Sequence, residues 1–407
     1  MKLKPDQQIQ QLLESLYQKV RENQGQGLTV VLETLVNLLM RYERDRFLAR
    51  HPEHQANGFY RRRLHLTLGT LHLEVPRVRI GKTFRPSLLP PHWQRVDRDY
   101  EELLLALLCN GYSRAQIART LRRLGLPYSD ADLGDLLETI ARTCHDFQTR
   151  TLQPDWLAIL IDAYHTQLRA DDGRVRPVAI YTAIGIAPDG TRHVLGFWVG
   201  QGRESAAFWA QVLEDLFRRG VRRVLLFVSD QFPGLDRVIA RLFPLALHQF
   251  CLVHLRRNLH RALPKHLRSQ ATRLWRAVRD AADPAAAHTP FDALVDLVRP
   301  HHPEMAQHLS RHRDHFLAFL HLPEPVRRYV YSTNAVESLH AGLEWIRLRL
   351  GGYFPSRTAL DANLFVQFVH LQDTWSRRPI PWLRTHAYEI QQLFAIRFEM
   401  KNLTQEG

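Results

Sequence analysis

A mixed α/β core, interrupted by a helical insertion and preceded by a mostly helical region that contains a β-hairpin, is the fold class the sequence predicts. Two apolar runs, Trp156–Ala163 (WLAILIDA) and Val224–Val228 within RVLLFVSD, do not alternate, as strands buried on both faces read. Turn residues divide the chain after Trp156 into strand, strand, strand, helix and strand. Residues 254–322 never alternate, are rich in Arg and His, and break at Pro264, Pro284, Pro290, Pro300 and Pro303, as a set of helices would.

In chain order, residues 6–22 and 27–48 carry apolar residues at helical spacing (Ile9, Leu12, Leu13, Leu16; Val30, Leu32, Leu35, Leu38, Leu39) around Gln24-Gly25-Gln26-Gly27. Arg63–Leu68 and Leu71–Val75 then alternate around Gly69-Thr70, the signal of a hairpin with a two-residue turn. Its polar face and continuation carry Arg61, Arg62, Arg63, Arg77, Arg79 and Lys82, which either track a phosphate backbone or form a solvated face. Ser113 caps a helix over Arg114–Leu124, Gly125-Leu126-Pro127 turns, and Ser129 caps Asp130–Thr143. That arrangement resembles a helix-turn-helix whose first helix carries Arg114, Arg119, Arg122 and Arg123. Its second helix is acidic (Asp130, Asp132, Asp135, Glu138), which favours a plain packing unit as the alternative.

Strand Trp156–Ala163 holds Asp162 near its end; Asp171-Asp172-Gly173 and Pro188-Asp189-Gly190 turn into strands 175–186 and 192–199. Helix Glu204–Arg219 stops at Gly220, and the next strand ends at Asp230. This β-β-β-α-β order is that of a ribonuclease H-like core, in which the first and fourth strands are neighbours. Asp162 and Asp230 would then meet although 230 − 162 = 68 residues separate them. Helices Asn334–Leu350 and Ala359–Thr374 complete the core. The resulting segments are 1–54 (N-terminal helices), 55–95 (basic hairpin), 96–150 (helix-turn-helix-like), 151–253 and 329–380 (the two parts of the core), 254–328 (insertion) and 381–407 (C-terminal tail).

The chain of 407 residues is 45% hydrophobic and 24% charged, a globular composition, and its net charge of +14 comes mostly from Arg. Such an excess suits a polyanion, because the planar guanidinium engages two phosphate oxygens at once. Cys109, Cys144 and Cys251 lie far apart without a CxxC, which excludes a disulfide framework and a four-Cys zinc site and fits a reducing cytosol. The first residues lack the apolar core of a signal peptide, and no stretch is long enough to span a bilayer.

Three acids stand out as chemistry: Asp162, Asp230 and Glu337. Carboxylates from separate elements hold hard divalent ions, and two such ions support in-line displacement at a phosphodiester. Glu337 has a second reading, as the N3 member of a capping box opened by Asn334. Glu344, seven residues on, shares its helical face. Cys251-Leu252-Val253-His254 is a CxxH pair, with His248 as a distant third ligand; zinc needs three or four, so a buried Cys and a hydrogen-bonding His is the simpler account. A Gly-rich phosphate loop and a GxSxG elbow are both missing, which removes support for nucleotide hydrolysis and for a Ser nucleophile.

These residues sit in segments that resemble the Mutator-like DDE transposases, a family that includes many bacterial insertion-sequence transposases. The resemblance runs from about residue 58 to residue 360. It includes GFYRRRLHLTLGTLHLEVPRVRIG (58–81), FRPSLLP (84–90), NGYSRAQIARTL (110–121), ILIDAYHTQLR (159–169), GRESAAFWAQVLEDLFRRGV (202–221) and LLFVSDQFPGL (225–235). The most specific pieces are QFCLVHLRRN (249–258) and PVRRYVYSTNAVESLHAGL (325–343), ending in FPSRTAL (354–360). Three positions depart from the family: Gln231 follows the second acid in place of a small residue, His340 stands for Asn, and Ser332 for Thr. The resemblance implies catalytic and metal-holding roles for Asp162, Asp230 and Glu337, with two magnesium (or manganese) ions and a helical insertion in the 337 − 230 = 107 residues between the last two. It further implies DNA as partner, both element ends and target, and a homodimer or higher homo-oligomer on that DNA in the cytoplasm at the nucleoid. DNA contacts are expected from Arg61, Arg62, Arg63, Arg77, Arg79, Arg114 and Arg119, and from Arg256 and Arg257 of the insertion. A nuclease on the same core, or a silent DNA-binding repressor, are the other readings.

Overall fold

The structure is a computed structural model that describes residues 14, 17, 18, 21, 27–66, 69–79, 84–89, 98–124, 126, 128 and 130–399. The expected helix over 6–22 and Lys82 lie largely or wholly outside these. The chain forms two compact units, 1–140 and 141–407.

In the first unit, helix α1 (Gly27–Arg50) precedes strands β1 (Gln55–Leu66) and β2 (Gly69–Arg79), followed by α2 (Arg98–Cys109) and α3 (Arg114–Arg123); α4 (Asp130–Thr149) starts in the first unit and ends in the second. The hairpin exists, but its register differs from the expected one. Gly69 and Thr70 lie inside β2, opposite Leu66 and His65, so they are not the turn. Pairing Leu64 with Leu71 moves the ladder by an even number of residues, which leaves Leu64, Leu66, Leu71 and Leu73 on the same face. Leu66, Leu71, Leu73 and Val75 bury that face against Met40, Leu32 and Val36 of α1, while Leu35, Leu38 and Leu39 stay exposed. Glu33 and Asn37 close the open edge of β2: Glu33 accepts from the His72 N–H at 2.7 Å, and Asn37 accepts from the Glu74 N–H at 2.8 Å. A strand edge is thereby sealed by a helix. The strand period also splits the arginines. Arg61 and Arg63 are exposed, whereas Arg62 lies on the leucine face, half-buried, with its pKa lowered by burial.

Ser113 caps α3 with a complete capping box to Gln116, as expected, and Arg114, Arg119, Arg122 and Arg123 are exposed on it. Helix α4 runs to Thr149, six residues beyond its expected end. The expected cap Ser129 is outside the described residues.

The second unit is built on a five-stranded mixed sheet, in the order β5-β4-β3-β6-β7. Its strands are β3 (Asp155–Arg169), β4 (Val175–Ile186), β5 (Arg192–Gln201), β6 (Arg223–Ser229) and β7 (Leu247–Phe250), with α5 (Ala206–Arg218) before β6 and α6 (Leu235–Leu242) before β7. The first and fourth strands of this unit are parallel neighbours, as the sequence predicts. Both faces are covered, which is why the strands do not alternate. Ile159, Ile161, Val224 and Phe227 pack with α5 and α6 on one side. Leu160, Leu226 and Val228 pack on the other against the helices that follow β7. Burying each such side chain contributes about 1.5–3 kcal/mol.

Those helices are α7 (Leu252–Ala262), α8 (Arg268–Arg279), α9 (Pro284–Val298), α10 (Pro303–Arg311), α11 (Arg313–Leu317), α12 (Glu324–Val330), α13 (Asn334–Arg349) and α14 (Arg357–Ser376). Three expectations need correction here. Strand β7 was not expected; its four residues, LHQF, are too few and too polar for periodicity to register. Strand β3 does not end near Asp162 but continues to Arg169, held after its pairing with β6 stops at Leu160 by β4 and, at its end, by a bridge from Leu168 to Phe354. The expected tail folds as α15 (Pro381–Thr385), α16 (Ala387–Phe394) and a π turn (Ala395–Glu399), and Leu383, Ile390, Phe394 and Phe398 enter the main core.

Candidate active site

The register between β3 and β6 is a constant offset, from Asp155 with Arg223 to Leu160 with Val228. That offset is 68 residues, so Asp162 stands level with Asp230 two residues past the end of the shared ladder. Asp162 has the parity of Leu160 and faces the side of the sheet on which α13 packs. There His340 Nδ1 lies 3.4 Å from Asp162 Oδ2, and His340 Nε2 meets Thr182 Oγ1 of β4 at 3.1 Å. The departure His340 is therefore a partner of the first acid. Asp230 leaves β6 and accepts the Gln231 N–H at 2.7 Å, which starts the turn into α6.

Glu337 comes from the first turn of α13, whose N-cap is Thr333 without a side-chain cap. Its carboxylate does not close a capping box. It takes a two-pronged ion pair from Arg257 of α7, with Nη1 to Oε1 at 3.2 Å and Nη2 to Oε2 at 2.7 Å. His254, one turn before Arg257, stands between two acids: Nε2 is 3.5 Å from Glu337 Oε1 and Nδ1 is 3.7 Å from Asp230 Oδ1. Its pKa is raised to about 9, chiefly by its hydrogen bond with Cys251, then by the charges of Cys251, Asp230 and Asp162. The side chains of Asp162 and Glu337 are mostly covered, whereas Asp230 is half open to solvent. Neither His254 nor Arg257 could be tied to the acids by sequence, because their partners lie 80 or more residues away in the case of Glu337.

Cys251 ties the two sides together. Its N–H donates to the Ser229 carbonyl at 2.8 Å, and its Sγ accepts from the Thr333 N–H and hydroxyl, both at 3.5 Å. The residue before Asp230, through the Cys251 N–H, and the N-cap of the Glu337 helix, through its thiol, are thus joined by one buried cysteine. Behind Asp230, Ser229 Oγ donates to the Asp230 carbonyl at 2.7 Å and meets buried His248 Nε2 at 2.8 Å.

A hard divalent ion fits the donor chemistry of Asp162, Asp230 and Glu337, although their oxygens do not form one tight group while His254 stands between two of them. Cys251, His254 and Glu337 do place one ligand atom each within 4.8 Å of one another, as do His51, Glu53 and His54 in the first unit. Because both oxygens of Glu337 are engaged by Arg257, leaving only the Cys251 and His254 pair, we expect purified protein to carry less than one zinc per several chains and its melting curve to ignore chelators. Stoichiometric zinc that disappears in Cys251→Ser would make the CxxH pair a metal site instead.

Among the other residues singled out in the sequence, Glu344 is set apart from the three acids. It accepts from the Tyr164 hydroxyl and takes two hydrogen bonds from Arg347, at 2.7 and 2.6 Å, which lower its pKa to about 2. A further acid escaped the sequence reading. Glu204, just before α5, pairs with His165 at 3.3 Å, and its pKa is raised by burial, with Asp162 adding to the effect. Arg256 lies over the Trp275 ring at 5.7 Å, while Arg257 is engaged by Glu337.

The family model described as "Transposase, Mutator family" matches residues 5–378. A transposase for insertion sequence element ISRM3 of Rhizobium meliloti is 29% identical over 349 residues, covering 85% of each chain. A transposase for insertion sequence element IS905 of Lactococcus lactis is 28% identical and covers 85% of this chain and 89% of its own. A probable insertion-sequence transposase of Corynebacterium diphtheriae is 30% identical over 74% of this chain and 86% of its own. A solved structure, the Drosophila P element transposase strand transfer complex, aligns over 71% of this chain and 84% of its own at 12% identity, but with a TM-score of 0.24.

Proposed function

The chain belongs to the Mutator family of transposases, and from that premise we propose that it binds the terminal inverted repeats of its own element, cleaves DNA there and joins the freed 3′-hydroxyl to target DNA. The core is read as ribonuclease H-like, with Asp162, Asp230 and Glu337 as the catalytic acids. One observation carries this reading: acids from β3, the end of β6 and α13 gather around His254, Arg257 and His340 within one site.

Asp162, Asp230 and Glu337 would hold two magnesium or manganese ions. Those ions, when bound, supply the charge that activates the attacking oxygen and stabilises the leaving one. His340 orients the first carboxylate, the Gln231 N–H and the Ser229–His248 pair fix the second, and Thr333 with Cys251 sets the start of the helix that carries the third. Arg257 and His254 hold Glu337 against the repulsion of its neighbours and compete with any cation for its oxygens. Water and then the 3′-hydroxyl act as nucleophiles, without a covalent protein–DNA intermediate. The protein works as a homodimer or larger homo-oligomer on DNA, in the cytoplasm at the nucleoid. Among the described residues no helix is long and apolar enough to cross a membrane.

The test is incubation of the purified chain with its own element ends, a target plasmid and magnesium. Joined products are expected. Nicks without joining would reduce the protein to a nuclease, and tight binding without cutting would make it a repressor.

Recognition of the ends is assigned mainly to residues 1–150, where exposed Arg61, Arg63, Arg77, Arg79, Arg114 and Arg119 accompany the hairpin and α3. Arg62 supports the hairpin from its packed face, and Arg256 and Arg257 belong to the catalytic unit. Phosphate contacts give affinity that falls steeply with salt, whereas base contacts discriminate. A fragment of residues 1–150 is expected to prefer end DNA over random DNA, with a shallower salt dependence than the whole chain. Preference found only in residues 151–407 would move recognition to the core or its insertion.

A further inference from the structure

A cleft of about 380 Å³ opens beside the second acid, between α7 and α10, and the chemistry above does not use it. Its lining includes Gln231, Leu255, Asn258, Arg261, Met305 and His308. Leu255, Asn258 and Ala262 recur at helical spacing along α7, so they present one face to the cleft. The walls are apolar: Leu255 and Leu309 are each 1% exposed. The polar groups are unused. Among the described residues, the side-chain amides of Gln231 and Asn258 and the guanidinium of Arg261 have no hydrogen-bond partner, and His308 Nε2 is buried without one. Gln231 is the residue that departs from the family pattern directly after Asp230, and its N–H is bonded to that carboxylate.

Two free amides each offer a donor and an acceptor, which is the pairing that Asn and Gln make with a base edge. Apolar walls suit the faces of a base, and the exposed guanidinium of Arg261 suits its phosphate. The space admits one base and no duplex, so the base must leave its stack to enter. We propose that this cleft receives one unpaired base of the DNA strand next to the scissile phosphate, with Gln231 and Asn258 reading its edge and Arg261 holding its phosphate. This rests on the transposase reading and adds a base-specific subsite to it.

The probe is element-end duplex carrying a single 2-aminopurine, moved stepwise across the cleavage junction and titrated with the full-length chain. One position on one strand is expected to brighten several-fold, about the change that unstacking brings. Asn258→Ala, at a half-buried position on α7, and Gln231→Ala are each expected to abolish that rise. Changing the natural base at the same position should alter affinity about tenfold for the native chain and less than about twofold for Asn258→Ala. Because Gln231 adjoins Asp230, Asn258→Ala decides if Gln231→Ala unfolds. A chain that cleaves end DNA but brightens no position, or keeps the rise in Asn258→Ala, overturns the subsite and leaves the transposase reading intact. A change of oligomeric state in Asn258→Ala with the fluorescence unchanged makes the cleft a protein interface, and also overturns it. A chain that neither binds nor cleaves end DNA overturns both.

Discussion

Asp162→Asn, Asp230→Asn and Glu337→Gln each remove magnesium-dependent cleavage of element-end DNA by about a thousandfold or more, the scale on which an active site loses a preorganised charge. The amide keeps the shape of each side chain and discards the charge a divalent ion requires. Folding should survive. Glu337→Gln leaves Arg257 without its anion, but that guanidinium is 48% exposed and recovers water. DNA binding should survive as well, since phosphate contacts depend on the arginines. Glu344→Gln is the control, because Glu344 is bonded to Tyr164 and Arg347 instead of the three acids. It should lower the melting temperature slightly and keep cleavage. Robust cleavage by Glu337→Gln would return that residue to a structural role, and a cleavage-dead Glu344→Gln would move the third acid by two turns.

Acid should destabilise the protein well before its carboxylates protonate. His248 in β7 is buried, and its pKa is pushed down to about 3 by that burial, with nearby His315 adding to it. The hydrogen bonds show why a second proton is unwelcome. The Ser229 hydroxyl is donated to the Asp230 carbonyl, so His248 Nε2 must carry the hydrogen it shares with Ser229. Nδ1 is the free position, and it is buried without a hydrogen-bond partner. The folded value lies below the unfolded value near 6.5, so the unfolded chain takes up the proton first as pH falls. The contribution of His248 is therefore constant above about 6.5 and declines below it, by up to about 1.4 kcal/mol per pH unit, until the folded value is reached. His193, His308, His312 and His321, also lowered by burial, act in the same direction. Urea midpoints measured from pH 6.5 to 4.5 at constant ionic strength should fall, and His248→Gln should flatten much of the slope. A flat profile for the native chain would mean that His248 accepts its proton inside the fold. Because Ser229 adjoins Asp230, the same titration should also loosen the second acid.

The outcome of the hairpin shows where sequence stops. Alternation of Leu64, Leu66, Leu71, Leu73 and Val75 dictates which face is buried, and helix α1 buries it. Two registers that differ by an even number of residues satisfy that pattern equally, so the position of the turn was open until the pairing of Leu64 with Leu71 chose it. The same limit governs the candidate site. Uninterrupted apolar runs marked β3 and β6 as strands covered on both faces, and the β-β-β-α-β order made them neighbours. The level at which two parallel strands lie beside each other depends on packing between them, so the pairing of Leu160 with Val228 had to be seen before Asp162 and Asp230 could be set level.

By itself the sequence determined the strands and helices of the α/β core, the arginine excess and the capped helix α3, because each is written in local period, charge or cap chemistry, and it nominated the three acids as candidates. Tertiary structure alone decided the partners of those acids. His254, Arg257 and His340 find their carboxylates only when strands and helices from distant parts of the chain converge, and no local pattern records which side chain a folded neighbour will meet. It also decided that Glu337 serves Arg257 and not its own helix cap, and that residues 381–399 pack into the core. Both outcomes follow from burial and ion pairing between remote segments, which outweigh the weaker local preference of a single turn.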